Sequence, residues 1–257
     1  MMPSGDLIAR LIASEAAYTS IRAQVIGRWP DNRFGVALRQ VGGAYGFQVK
    51  GVPSPWLNRV LGLADAHAVR DWHDWFTSAG IAGRFETIPH QFSADLGRAL
   101  VAAGLVPIGG DALVCGQPGS MAPTEPIEHA ETAIAIEVFL DTHLDGLGVP
   151  NAIRAGAKAN MRGWLGLPGW HLLVARRDGQ PAGSCVLFQH DGVAYVADMA
   201  TRPGFRNRGV QTALLAQCHA LAAGTDVIWA RCRFLSQSHR NLMRAGLATV
   251  CTSEFWQ

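Results

Sequence analysis

The chain has 257 residues, enough for one large domain or two small ones that each bury a hydrophobic core. With 49% hydrophobic and 16% charged residues, its composition is that of a globular protein and excludes a disordered chain. The net charge of +2 gives no reason to expect a nucleic-acid partner, and no apolar segment approaches the ~18 residues that cross a bilayer.

The N-terminal residues and the cysteines favour a cytoplasmic protein. Asp6 and Glu15 interrupt the first 30 residues, so a secretory signal is not expected. The five cysteines are scattered through apolar stretches and never form a C-x-x-C pair. This pattern predicts buried free thiols in a reducing compartment.

Strands and helices alternate in the first half of the chain. Two of its predicted helices end in glycine, as helices often do. In chain order we predict a strand in RVLGLA, a helix in DAHAVRDWHDWFTSAG, a strand in AGRFETI, a helix in SADLGRALVAAG and a strand in LVPIGGDALV.

A linker is predicted at residues 116–129, GQPGSMAPTEPIEH. This stretch contains three prolines and two glycines and almost no large apolar side chain. It lies near the middle of the chain. We therefore predict two domains, at residues 1–118 and 128–257.

The second half begins with ETAIAIEVFL, which fits a strand or a helix; its β-branched alternation favours a strand leading into helical turns. A helix is predicted next, in NAIRAGAKANMRGW. Three strand-like runs follow, joined by Asp178-Gly179 and Asp191-Gly192, which favour tight hairpin turns. These runs predict an antiparallel meander. After it we predict a helix in TALLAQCHALAAG, a strand in DVIWARCR, a helix in SQSHRNLMRAG and a strand in ATVCTSEFW.

The two halves share this strand and helix order. The helix-ending glycines Gly80 and Gly104 in the first half correspond to Gly224 and Gly246 in the second. The repetition indicates duplication of a domain. The halves differ between one strand and the next helix, where the second has TRPGFRNRGVQT and the first has only GLADA.

The segment RNRGVQTALL, residues 206–215, joins positive charge and a glycine to the start of a helix. A helix N-terminus has unpaired N–H groups and attracts anions. Gly209 lets a ligand approach the backbone, and Arg206 and Arg208 suit phosphate oxygens. The pattern predicts a phosphate or diphosphate site; the alternative is an arginine-rich surface loop. Neither a dinucleotide fingerprint nor a P-loop is present.

The longer segment VADMATRPGFRNRGVQTALL resembles the acetyl-CoA-binding segment of the GCN5-related N-acetyltransferases, the GNAT family, and SQSHRNLMRAGL resembles the next helix of that family. The match covers most of residues 130–257, and the first half resembles a degenerate second GNAT repeat. The resemblance implies an α/β fold with mixed α+β sheets, in two GNAT-like acyl-CoA N-acyltransferase domains in tandem. It also implies direct transfer of an acetyl group from acetyl-CoA to an amine, in a ternary complex.

The resemblance assigns roles to individual residues of the second half. Backbone N–H groups of residues 207–212 would hold the diphosphate of coenzyme A, and residues 199–201 would pair with its pantetheine arm and polarise the thioester. Ser236 and Asn241 are further candidates, although Ser236 is also a candidate N-cap. The predicted coenzyme-binding residues are Met199, Ala200, Thr201, Arg206, Asn207, Arg208, Gly209, Val210, Gln211, Thr212, Ser236 and Asn241.

Two residues depart from the family pattern. Gln211 stands where glycine or alanine is usual, which crowds the phosphate site or adds an amide donor to it. Leu242 stands where many members have a tyrosine that protonates the leaving thiolate. Because a thiol pKa is near ~8.5, the thiolate is a tolerable leaving group without help.

A base must remove a proton from an ammonium acceptor before it attacks. Asp198, on the strand beside the proposed thioester, is one candidate, and an arginine-paired carboxylate is the alternative. Tyr195 is the second candidate. Trp164 and Trp170 would either form an aromatic wall near the acceptor or pack in the core.

The sequence therefore predicts a cytoplasmic N-acetyltransferase, monomeric or homodimeric, that acts on a small-molecule or peptide amine. Acetyl-CoA is the predicted co-substrate, and no metal, nucleic acid or membrane is expected, since no side chains have metal-ligand spacing. The alternative is a non-catalytic acyl-CoA-binding or regulatory protein of the same fold, which Leu242 favours.

Overall fold

The structure is a computed structural model that describes residues 4–119, 121 and 125–257. The chain forms two compact units, Met1–Leu113 with Val250–Gln257, and Val114–Thr249. The first unit thus consists of two stretches of chain, because the last eight residues belong to it. The predicted domains 1–118 and 128–257 are continuous segments of chain. They describe the two halves that we infer to be duplicated, and they stay a prediction.

Over its described residues, the first unit contains three α-helices and a mixed sheet. Its strands lie in the order β1-β2-β3-β4-β11-β5, in which β3 and β4 are parallel and β1-β2, β2-β3 and β4-β11 are antiparallel. The elements are α1 (Gly5–Gly27), β1 (Val36–Val41), β2 (Ala44–Val49), β3 (Arg59–Leu61), α2 (Val69–Ser78), β4 (Arg84–Thr87), α3 (Ala94–Ala102), β5 (Pro107–Gly116) and β11 (Ala248–Trp256).

Aromatic side chains fill the core of the first unit. Helix α2 buries Val69, Trp72 and Phe76 on one face, at the spacing of an amphipathic helix. These side chains pack with Phe85 of β4 and Leu96 of α3. The strand and helix order predicted for residues 59–116 is therefore confirmed.

Two parts of the first unit were not predicted. Helix α1 spans 23 residues and is preceded by the N-cap Ser4, whose side chain accepts a hydrogen bond from the N–H of Leu7. Strands β1 and β2 form an antiparallel hairpin. Helix α1 escaped prediction because it buries polar side chains such as Glu15 and Thr19 together with its apolar ones, which weakens its hydrophobic periodicity.

The second unit has strands in the order β10-β9-β8-β7-β6, antiparallel except for the parallel pair β9-β10. Helix α4 packs on β7, β8 and β9, and α6 packs on the same strands. The elements are β6 (Ile127–His129), α4 (Ala133–Leu147), α5 (Asn151–Met161), β7 (Trp170–Arg177), β8 (Gln180–His190), β9 (Val193–Thr201), α6 (Val210–Leu221), β10 (Val227–Cys232) and α7 (Gln237–Arg244).

The predicted meander is confirmed as β7, β8 and β9. Both residues of each predicted turn have positive φ, 52° and 74° at Asp178-Gly179 and 48° and 72° at Asp191-Gly192. Two positive φ angles in succession characterise the type I′ turn, whose twist matches that of the flanking strands. The turns therefore fix the register of this sheet.

Of the two alternatives for residues 131–140, the favoured strand is wrong and the helix is correct. Residues 133–140 belong to α4, and the strand β6 ends before them, at His129. The side chain of Thr132 caps α4 by accepting a hydrogen bond from the N–H of Ala135. Buried side chains at positions 136, 139, 140, 143 and 144 have helical spacing, and this longer pattern outweighs the short β-branched alternation.

The linker predicted at residues 116–129 lies partly outside the described residues, which omit 120 and 122–124. The described part includes the end of β5 and the whole of β6. All five cysteines are free thiols; Cys251 is half-buried and the other four are buried. This agrees with the predicted free thiols.

Candidate functional site

Strands β9 and β10 separate near their carboxyl ends. Their parallel ladder joins residues 193–196 to residues 227–230. Strand β9 continues to Thr201 and β10 to Cys232, with no further ladder pair between them among the described residues. The backbone of residues 197–201 therefore has a side that β10 does not occupy.

A β-bulge lies at the point where the two strands separate. Ser184 of β8 pairs with Ala200 and Val186 pairs with Ala197, so Cys185 alone is opposite both Asp198 and Met199. Asp198 has a φ of 47°, in the left-handed region that few non-glycine residues adopt. The bulge turns the backbone of β9 at the strand end that is predicted to meet the pantetheine arm.

The loop after β9 leaves a row of backbone donors at the start of α6. Asn207 and Gly209 have φ of 61° and 81°, and Arg208 between them does not have a positive φ. Among the described residues, none accepts a hydrogen bond from the N–H groups of residues 207–212. Alternating backbone of this kind at a helix N-terminus presents converging N–H groups to an anion.

The two arginines of the loop are held differently. The Arg206 guanidinium donates to the carbonyl oxygens of Thr201, at 3.4 Å, and Gly146, at 3.3 Å. Arg208 is about half exposed, and its Nη1 lies 3.7 Å from the Asp178 carboxylate. Arg206 thus ties the loop to α4 and β9, whereas Arg208 has room to turn towards a bound anion.

Gln211 connects α6 to α7 through its side-chain amide. Its Nε2 donates to Ser238 Oγ at 2.9 Å, and its Oε1 accepts from Asn241 Nδ2 at 2.6 Å. Asn241 Oδ1 accepts in turn from Gln237 and Arg244. Both ends of the Gln211 amide are used within the protein, so this departure from the family pattern crosslinks two helices.

These elements surround a cleft of about 530 Å³ in the second unit. Ten of the twelve predicted coenzyme-binding residues line it, and Arg208 and Ser236 do not. Ser236 instead caps α7 by accepting from the N–H of His239 at 3.1 Å. The cleft is lined by Gly146, Met199, Ala200, Thr201, Phe205, Arg206, Asn207, Gly209, Val210, Gln211, Thr212, Gln237, Ser238 and Asn241.

Four lining residues were absent from the predicted site: Gly146, Phe205, Gln237 and Ser238. The signal that the sequence carries for Gly146 is a glycine inside a helix, which usually has a packing or functional reason. A Cβ at Gly146 would lie 2.7 Å from Ala200 Cβ and 3.0 Å from Thr201 N. The glycine therefore lets α4 pack directly on the end of β9.

The candidate bases do not line the cleft. Tyr195 is buried and stacks on Trp229 at 4.2 Å between ring centroids. Asp198 is half-buried at the bulge, one residue before Met199, which does line the cleft. Asp198 is thus the nearer of the two in sequence to the lining residues, and its role as a base stays a prediction.

Leu242, the residue in place of the family tyrosine, is buried at 2% exposure. An apolar side chain enclosed in this way supplies no acid. Trp164 and Trp170 are also buried; they contact each other at 5.4 Å, and Trp170 contacts Phe188 at 5.7 Å. Of the two interpretations of these tryptophans, the structure supports core packing.

Cys185, opposite the bulge, is not suited to act as a nucleophile. Its Sγ lies 3.6 Å from Cys218 Sγ, and both side chains are fully buried. The hydrogen bond with Cys218 and the burial raise the pKa of the Cys185 thiol well above its usual value. At neutral pH this thiol stays protonated.

Within the described parts of the chain, no group of three or more His, Cys, Asp or Glu side chains is arranged to hold a metal ion. The helices of the same described residues include none with the length and apolar character needed to span a membrane.

Residues 143–246 match the model of the acetyltransferase (GNAT) family. No curated protein matches the chain.

Solved structures share the fold at low sequence identity. A GCN5-related N-acetyltransferase from Kribbella flavida has a TM-score of 0.64 and 17% identity, over 94% of both chains. A conserved protein of unknown function from Staphylococcus epidermidis has a TM-score of 0.67 and 10% identity, over 87% of this chain and 94% of its own.

A tandem GNAT protein from the clavulanic acid biosynthesis pathway matches 100% of this chain and 96% of its own, with a TM-score of 0.56 and 13% identity. The predicted resemblance and fold class are thereby confirmed. Residues 143–246 form a domain of the acetyltransferase (GNAT) family, in a chain whose fold is similar over its full length to that of a tandem GNAT protein.

Proposed function

We propose that the protein is an N-acetyltransferase that transfers an acetyl group from acetyl-CoA to the amine of a small molecule or peptide, by direct attack in a ternary complex. A fold of the GNAT acetyltransferases supports acyl transfer from acyl-CoA in general. The observation that carries the finer proposal is the row of N–H groups at residues 207–212, unpaired within the described chain, on the wall of a cleft that also includes the end of β9.

The residues of this cleft fit coenzyme A. A row of open donors at a helix N-terminus suits a diphosphate, and a Cβ at Gly209 would meet nothing within 4 Å, so the approach to them is open. The half-exposed Arg208 adds a positive charge beside them. Bound acetyl-CoA would supply the acetyl group as an activated thioester.

The chain's own residues would contribute positioning and electrostatic stabilisation. Residues 199–201, which are free of β10, would pair with the pantetheine arm as an added strand does. An N–H group at the bulge would donate to the thioester oxygen as negative charge develops on it. Asp198 would accept a proton from the attacking amine, directly or through water.

A non-catalytic acyl-CoA-binding protein is the second candidate. Two observations favour it: Leu242 is buried and offers no acid, and neither Asp198 nor Tyr195 lines the cleft. The proposed enzyme needs no acid at position 242, because the coenzyme leaves as a thiolate that is tolerable near neutral pH.

One experiment separates the two candidates. Acetyl-CoA binding is measured by calorimetry, and thiol release is followed with a panel of small amines, amino acids and peptides with free N-termini. Thiol release that depends on the amine and yields an acetylated product supports the enzyme. Binding with no amine-dependent release from any panel member favours the non-catalytic protein, and absence of binding contradicts both.

A further inference from the structure

The first unit contains a cavity of about 300 Å³, at the lower end of the range for small-molecule sites. Its position corresponds by element order to the cleft of the second unit. The cavity is bounded by α1, by residues 41–45 of the β1–β2 hairpin, by the residues between β3 and α2, and by the residues that follow β4. The cleft is bounded by α4, by the residues between β9 and α6, and by the start of α7.

This cavity lacks the features that suit a diphosphate. Among its described lining residues, none is an arginine, lysine or histidine. The short segment between β3 and α2 begins a turn of helix whose first donor is already paired, because Asp65 Oδ1 accepts from the N–H of His67 at 2.9 Å. A carboxylate at this place repels phosphate, so the ligand of the cavity differs from that of the cleft.

The walls of the cavity are mostly apolar. Ile8 and Ile12 of α1, Leu63 and Ile88 line it, and all four are buried. Gly62 permits the close packing here, since a Cβ at this residue would lie 2.7 Å from the Gly43 carbonyl oxygen. An aliphatic or small aromatic body is the ligand portion that these walls would cover.

One buried polar group of the cavity lacks a donor partner. Gln91 Oε1 is buried and has no hydrogen-bond partner among the described residues. Asp65 contributes a carboxylate at the rim. A buried acceptor that stays unpaired costs free energy, and a ligand N–H group would remove that cost.

We propose that this cavity binds a small primary amine, with its apolar body against the isoleucines and its ammonium group between Asp65 and Gln91. The site is separate from the proposed coenzyme cleft and does not depend on the proposed function.

The test uses the full chain without acetyl-CoA and two probes of the same skeleton, 3-methylbutylamine and 3-methylbutan-1-ol. Calorimetry should show saturable binding of the amine and binding of the alcohol weaker by about fivefold or more, the ratio for one charged contact at a partly exposed site. Equal affinity for amine and alcohol, or no saturable binding of the amine, would overturn the proposal.

Two variants locate the amine. Asp65→Asn keeps a good N-cap and removes the charge, so the preference for the amine over the alcohol should disappear. Gln91→Met removes the unpaired acceptor at similar volume, so the melting temperature should not fall, while amine affinity drops several-fold. Amine affinity unchanged in both variants would contradict the site.

A third variant keeps this inference distinguishable from the proposed function. Gly209→Asp, which is expected to destroy coenzyme binding in the second unit, should leave amine binding unchanged. A change in amine affinity in this variant, in either direction, would show that the amine occupies the cleft, and would refute a site in the first unit. Absence of acetyl transfer would leave the proposed amine site intact.

Discussion

Gly209 combines backbone conformation and chemistry at one position. Its φ of 81° is accessible to glycine and, among other residues, mainly to asparagine and aspartate. The residue is the N-cap of α6 and has open space around the position of a Cβ. Asn and Asp at this position should strain the backbone to nearly the same extent. A comparison of the two variants therefore isolates the effect of the negative charge on coenzyme binding.

We expect Gly209→Asp to weaken coenzyme A binding by at least about 100-fold, because a carboxylate would face the diphosphate and compete for its N–H donors. Gly209→Asn should cause a much smaller loss. Calorimetry with coenzyme A measures both variants. Equal losses would show that bulk, not charge, is responsible, and unchanged affinity in the Gly209→Asp variant would count against the phosphate site.

Asp198 permits an equally close comparison. Asparagine tolerates its φ of 47°, so Asp198→Asn should keep the bulge while removing a base. If Asp198 is the base, kcat should fall by about 10²–10⁴-fold and the acid limb of the pH–rate profile should change. Tyr195→Phe is the matched test of the other candidate. A profile unchanged in Asp198→Asn would exclude this carboxylate as the base.

His219 is a residue whose titration the structure ties to stability. Its buried ring accepts a hydrogen bond at Nδ1 from the N–H of Gly119 at 2.9 Å. This bond requires the neutral ring with its proton on Nε2. Burial lowers the pKa of His219 below its usual value of 6.5.

The unfolded chain thus binds a proton at His219 more readily than the folded chain does. The stabilisation is fully present above pH 6.5 and is lost progressively as the pH falls from 6.5 towards the lower folded pKa. We expect the free energy of unfolding, measured in denaturant between about pH 5 and 8, to show this decline. In the His219→Gln variant, the free energy of unfolding should decline less as the pH falls. An unchanged pH dependence in this variant would contradict the role assigned to His219.

At the scale of elements, the approach of α4 to β9 shapes the cleft. Gly146 permits that approach, and the Arg206 guanidinium joins its carbonyl oxygen to that of Thr201. A methyl group at position 146 would collide with Ala200 Cβ and with backbone atoms of β9. None of these atoms is at the end of a flexible side chain, so the clash is relieved only if the strand itself moves. The geometry of the cleft therefore depends on a residue with no functional group.

We expect Gly146→Ala to destabilise the protein by about 1–3 kcal/mol, as overpacking does, and to weaken coenzyme binding by displacing β9. Gly156→Ala on the exposed side of α5 is the control, since a Cβ there meets nothing within 4 Å. That change should stabilise by about 0.5–1 kcal/mol through helix propensity. Thermal denaturation measures the stability of both variants, and calorimetry measures their affinity for coenzyme A. Unchanged stability and affinity in Gly146→Ala would show that β9 can move aside without cost.

At the scale of the whole molecule, the first unit contains a network of buried ion pairs, which the amino-acid composition does not indicate. Arg59 pairs with Glu15 and with Glu86, each at 2.9 Å, and all three side chains are at most 3% exposed. Arg84 lies 3.4 Å from Glu86 and contacts the ring of Trp56. Two positive and two negative charges thus hold α1, β3 and β4 together.

Removing one member should leave a buried charge without its partner. We expect Glu86→Ala to reduce the free energy of unfolding by about 3–5 kcal/mol. Asp74→Ala, which removes the exposed ion pair with Arg70, should change it by at most about 1 kcal/mol. Denaturant unfolding measures the free energy of unfolding of both variants. Similar small losses in both would show that the buried ion pairs add little to the stability of the protein.

The sequence alone determined much of this protein. The Asp-Gly turns fixed the meander, the spacing of apolar residues indicated most of the helices and strands, and the Arg-Gly pattern with its family resemblance indicated the second-half fold. Ten predicted coenzyme-binding residues line one cleft because they lie on two short adjacent segments and on the next helix. Such local signals depend on neighbours along the chain, which are visible in sequence.

The tertiary structure decided what depends on distant residues. In the folded chain, the last strand belongs to the first unit and the segment 131–140 lies mostly in a helix. Gln211 forms hydrogen bonds with Ser238 and Asn241, and Gly146 packs against β9. The tertiary structure also paired Arg59 with Glu15 and Glu86, from three separate elements. These contacts link residues far apart in the chain, and their formation depends on the packing of whole elements, for which no local pattern of residues is sufficient.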